Sequence, residues 1–195
     1  ILARDYSLRV FLKLVARGCL VMLLGVALLP VGGEIQVVLV VMGAAMALTA
    51  WVPPLATAWK VVLFALATAA ATALYAPYTL PQVYPLVAFL AYLVAGMLLY
   101  DVYLTRPRRT HTIVTAVAVV VTGIGLWQRF NPSIPGWLRF TGHTGVLGEI
   151  LLSVAVTALV LHLCLVLGRA LPRLTFPFAA LGSMSLTIYI PVSYT

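Results

Sequence analysis

Apolar residues in this chain fall in long unbroken runs, and prolines separate one run from the next. Pro30, Pro53, Pro54, Pro77, Pro81, Pro85, Pro107, Pro132, Pro135, Pro172 and Pro177 stand between or at the edges of these runs. Proline ends a helix and is tolerated in its first turn. Read between these marks, the pattern predicts seven spans at about 10–29, 34–51, 58–76, 84–104, 111–128, 147–171 and 176–192. Each has roughly the 17–25 residues that a bilayer crossing needs. The runs lack the period of two of a barrel strand, and backbone groups in lipid must be bonded within their own segment. The expected fold is therefore all-α, a polytopic transmembrane bundle of about seven helices. Gly43-Ala44-Ala45, Ala69-Ala70-Ala71 and Ala95-Gly96 offer places where helices can approach closely.

Composition turns that pattern into a class. Of 195 residues, 64% are hydrophobic and 8% charged, against about 25% charged in a soluble domain. Sixteen charged side chains are too few to solvate a globule of this size. A soluble enzyme, a disulfide scaffold and a disordered chain are excluded. Cys19 and Cys164 sit in apolar runs without a metal-ligand or redox spacing. The whole of 1–195 reads as one transmembrane domain. With Ile1 first and an apolar run almost reaching Thr195, a piece of a longer protein lacking its N-terminal helices is expected.

The net charge of +8 reflects topology rather than nucleic-acid binding. With the N-terminus in the cytoplasm, ten of the twelve basic residues fall inside, as the positive-inside rule requires. Only Arg129 and Arg139 fall outside. A bacterial-type inner membrane is the expected location, with the last residues outside.

Few residues could carry chemistry. Arg9, Lys13 and Arg17 recur every fourth position, on one helix face. They either snorkel to headgroups or, at Arg17, turn inward to bind an anion. Thr105-Arg106-Pro107-Arg108-Arg109-Thr110-His111 forms an inner basic loop that could contact lipid or clamp phosphates. Asp101 lies close enough to pair with that loop. Gly142-His143-Thr144-Gly145 precedes the sixth span and Glu149 lies in its first turn. His143 backed by Glu149 is a candidate general base, and Glu149 also suits the helix dipole. Glu34 and Arg139 border the same side, and His162 is an ionisable group within a span. Ser183, Ser185 and Thr187 place three hydroxyls in the last span, for interhelical bonds or a cavity lining.

The segment Pro177-Phe178-Ala179-Ala180-Leu181-Gly182-Ser183-Met184-Ser185-Leu186-Thr187-Ile188-Tyr189 resembles the closing helix of the heparan-alpha-glucosaminide N-acetyltransferase-like and YeiB-like bacterial membrane proteins. Tyr84-Pro85-Leu86 with Tyr92 and Gly96 is similar to the family's mid-chain helix, with Phe89 where tryptophan is usual. Gly142-His143-Thr144-Gly145 is similar to its turn before the penultimate helix. The resemblance implies a membrane acyltransferase that moves an acyl or acetyl group from cytosolic acyl-CoA to a sugar or envelope acceptor on the far side. The family's N-terminal catalytic histidine has no counterpart position here. On this reading Arg106, Arg108 and Arg109 face the CoA phosphates, His143 and Glu149 border the acceptor, and no metal is used. A non-enzymatic transporter or envelope-assembly partner is the alternative. The expected partners are the bilayer, the acceptor, and membrane proteins or further copies of the chain.

Overall fold

The computed structural model describes residues 7–29, 38–76, 85–130, 134–138 and 144–171. Among these the chain is helical, with no strand: α1 Leu8–Leu28, α2 Val38–Leu48, α3 Thr57–Tyr75, α4 Leu86–Tyr100, α5 Arg108–Arg129 and α6 Leu147–Ala170. Five stretches are long and apolar enough to cross a membrane: α1, α3, α4 with its continuation to Thr105, α5 and α6. The protein is membrane-embedded. The second expected span has a described helix of only 11 residues, and the seventh, 176–192, lies outside the described residues. Among the described residues five spans stand against the expected seven, with the short α2 between the first two.

Helix ends follow local chemistry. Ser7 is extended and its carbonyl accepts the amides of Val10 and Phe11, opening α1. Beyond α2, Thr49 donates its hydroxyl to the Ala45 carbonyl at 2.8 Å, and Pro53 and Pro54 prevent the helix from resuming. Pro85 and Pro107 cap α4 and α5 in the extended conformation. Pro107 starts α5 at Arg108, three residues before the expected 111. The supposed basic loop is therefore mostly helix: Arg108 and Arg109 lie in the first turn of α5.

The helices pair as hairpins α1–α2, α3–α4 and α5–α6, with α4 also touching α2 and α6. One core cluster joins Leu99 and Tyr103 to Ala118 of α5 and Ala155 and Ala158 of α6. Another joins Ala71 of α3, Ala88 and Ala91 of α4 and Ile150 of α6. Small residues dominate both, as expected where lipid gives helices no hydrophobic reason to associate. Of the small residues singled out from sequence, Gly43, Ala45, Ala71 and Ala95 are buried, whereas Ala69, Ala70 and Gly96 are exposed. Outward faces carry Leu20, Leu66, Val117, Val120, Val160 and Leu163, all more than half exposed.

Alternation of the helices gives the bundle two ends. The start of α1, the start of α3, the α4–α5 connection and the end of α6 form the basic end. The starts of α4 and α6 form the opposite end.

Candidate functional site

At the basic end α3 and α4 are joined by charge. Lys60 Nζ lies 2.8 Å from Asp101 Oδ2, with side chains 5% and 16% exposed. Thr57 donates its hydroxyl to the same oxygen at 3.3 Å, and Arg106 Nη2 donates to Thr57 Oγ1 at 3.2 Å. A buried ammonium is tolerable only when paired and hydrogen-bonded, and Asp101 meets that need. This corrects the expected partner of Asp101. The carboxylate belongs to Lys60, and the arginine segment reaches it only through Thr57. It is the one ion pair among the described residues.

Immediately beyond, α4 widens into a π-turn at Asp101–Thr105. Such turns are rare and often mark functional sites. This one carries Tyr103 inward, where it is 2% exposed. Its hydroxyl shares a 2.9 Å hydrogen bond with Thr115 Oγ1 of α5. Its ring lies 5.3 Å from that of His111 on α5 and 5.9 Å from that of His162 on α6, centroid to centroid. His111 Nε2 is 3.0 Å from the Arg106 carbonyl. A carbonyl oxygen only accepts, so Nε2 carries the proton, and in the neutral ring Nδ1 holds the lone pair. Two of the three histidines thus converge on one tyrosine beneath the arginines.

Arg106, Arg108 and Arg109 are all exposed at this end. Arg108 and Arg109 lie at the positive pole of α5, the unfavourable place for cations on a helix. Helix N-termini and guanidinium groups both attract anions.

At the opposite end Glu149 is 8% exposed in the first turn of α6. Its Oε2 accepts from Thr144 N at 2.6 Å, Thr144 Oγ1 at 2.6 Å and Gly145 N at 3.0 Å. The carboxylate reaches back and closes the turn before its own helix, in the manner of a capping box. Gly145 has φ +67°, and a Cβ there would stand 2.8 Å from Pro85 and 3.0 Å from Ala88. The turn is thereby seated on the start of α4.

The other sequence candidates divide as follows. His162 joins Tyr103. Arg17 is exposed on α1 and does not turn into the bundle. His143, Glu34, Arg139, Ser183, Ser185 and Thr187 lie outside the described residues, as does any pairing of His143 with Glu149. Cys19 and Cys164 are free thiols. Lys60, Tyr103 and Thr115 were not anticipated. Lys60 could have been found: a lone cation inside an apolar span needs an anion, and an antiparallel α3–α4 hairpin offers Asp101. Nothing in Asp101-Val102-Tyr103-Leu104-Thr105 announces a π-turn.

No family model matches the chain, and no curated protein or solved structure resembles it significantly.

Proposed function

We propose that this protein is a membrane acyltransferase, taking an acyl group from acyl-CoA at the basic end, on the cytoplasmic side of a bacterial-type inner membrane, for a sugar or envelope acceptor. The observation that carries the reading is the adjacency of exposed Arg106, Arg108 and Arg109 to His111, whose free ring nitrogen is fixed by its bond to the Arg106 carbonyl. Guanidinium groups suit phosphates, and a neutral imidazole suits proton removal near pH 7. In the reaction, Nδ1 of His111 takes the proton of the acceptor hydroxyl or amine. The freed oxygen or nitrogen bonds to the thioester carbonyl carbon, the C–S bond breaks, and the departing thiolate receives the proton. Tyr103 and Thr115 hold the imidazole in place. Glu149, already accepting three hydrogen bonds, is a poor base and serves to hold the turn at the opposite end.

Thermal stability in detergent with and without acetyl-CoA tests the reading. A ligand at a hundredfold excess over its Kd stabilises the folded state by about 2.7 kcal/mol. An upward shift with acetyl-CoA, absent with adenosine and lost in Arg106→Gln/Arg108→Gln/Arg109→Gln, is expected. No shift at millimolar acetyl-CoA removes acyl-CoA as donor. The buried Lys60–Asp101 pair then favours the second reading, substrate passage, because ionisable groups within membrane spans commonly mark pathways.

A further inference from the structure

We infer that the outer face of α1 is a binding site for an anionic phospholipid, its phosphate held by Arg9, Lys13 and Arg17 and an acyl chain lying along Leu20 and Leu24. All three cations are exposed. α1 packs chiefly against α2, through its buried glycines Gly18 and Gly25. At 100° per residue the cations lie about 130° round the helix from those glycines, so they face away from the protein. Leu20 and Leu24 continue the same stripe and are 61% and 44% exposed. The stripe is therefore amphipathic along its length, cationic toward the basic end and apolar toward the middle. A phospholipid has that division.

Charge within the chain does not supply another occupant. There are four acidic residues. Asp101 is committed to Lys60 and Glu149 to its own turn. Glu34 follows the far end of α1 in sequence, and Asp5 offers one negative charge against three positive ones. No ion pair joins the stripe among the described residues. Arg17 stands nine positions beyond Leu8, about 14 Å along the axis, too deep for an unpaired guanidinium in hydrocarbon. Side chains on a helix tilt toward its N-terminus, which here is the basic end. The Arg17 head therefore rises toward Lys13, and the three charges gather at headgroup depth. The site is separate from the arginines at the start of α5 and does not depend on acyl transfer.

The test is native mass spectrometry of the full chain in neutral detergent, titrated with phosphatidylglycerol and, separately, phosphatidylcholine. Each basic residue near an anionic headgroup is worth about fivefold in affinity. Arg9→Gln/Lys13→Gln/Arg17→Gln should therefore weaken phosphatidylglycerol retention roughly a hundredfold. Arg108→Gln/Arg109→Gln/Arg169→Gln, which removes equal charge from the same end, should weaken it far less. Inorganic phosphate should not displace the lipid, because it lacks the chain that Leu20 and Leu24 hold. Equal retention by the first variant, equal loss in the second, displacement by phosphate or equal binding of phosphatidylcholine each overturns the proposal. Should the triple variant fail to fold, Arg17→Gln alone carries the test: about a fivefold loss supports the site, and unchanged retention overturns it.

Discussion

The α1–α2 hairpin and the α3–α6 assembly solve one problem in two ways. In lipid neither gains from burying apolar surface against a neighbour. The hairpin closes by bringing backbones together: a Cβ at Gly18 would stand 2.7 Å from Ala47 N, and one at Gly25 would stand 2.6 Å from Val40 N. The α3–α6 assembly closes through side chains, with the Lys60–Asp101 pair and the Tyr103 cluster at one end and the Glu149 turn at the other. The first arrangement tolerates no added atom. The second leaves room for a methyl at Gly96, Gly123 and Gly168, though not at Gly125, Gly145 or Gly148, and does not tolerate the loss of a polar partner.

Four substitutions sharpen that contrast. The largest effect is expected of Asp101→Ala, which strands a buried ammonium and should cost about 3–5 kcal/mol. Thermal unfolding in detergent reads it, and Lys60→Met/Asp101→Leu should recover most of the loss because the stranded charge is gone. Gly43→Ala comes next. The new methyl would meet the Gly18 carbonyl oxygen at 2.6 Å, and overpacking of this kind costs about 1–3 kcal/mol. A melting temperature equal to wild type would show that the backbones are not in contact. Glu149→Ala leaves the amides of Thr144 and Gly145 without their carboxylate and should cost about 1–2 kcal/mol, seen first as faster hydrogen exchange at the start of α6. The smallest change has the opposite sign. Gly96→Ala, with nothing within 4 Å of the added carbon, should stabilise by up to about 1 kcal/mol through helix propensity. The same glycine-to-alanine exchange is thus destabilising in the hairpin and stabilising in α4.

The positions of α1, α3, α4, α5 and α6 were legible because uninterrupted apolar runs and prolines are strong signals, and both survive in the structure. Less legible was which residue partners which. Asp101 lies close in sequence to the arginines five to eight positions on, yet its ion-pair partner is Lys60 across the hairpin. Pro107 already marked where α5 begins, although the run of arginines after it suggests a loop. His162 stands out as an ionisable group in an apolar span; its companion Tyr103 lies in the π-turn and is reached only across helices. The N-terminal position of Glu149 favoured a dipole role, but the three donors on one oxygen depend on the turn at Gly145.

The 41 residues separating Lys60 from Asp101 also set a clock during synthesis. At about 5–20 residues per second, Lys60 is added to the chain roughly 2–8 s before Asp101. The α1–α2 hairpin waits less, since Val40 and Ala47, which close on Gly25 and Gly18, are made before α3 begins. Membrane insertion can therefore proceed by completing the glycine-sealed pair first. Lys60 then stays at the water-facing rim until α4 arrives to take it in.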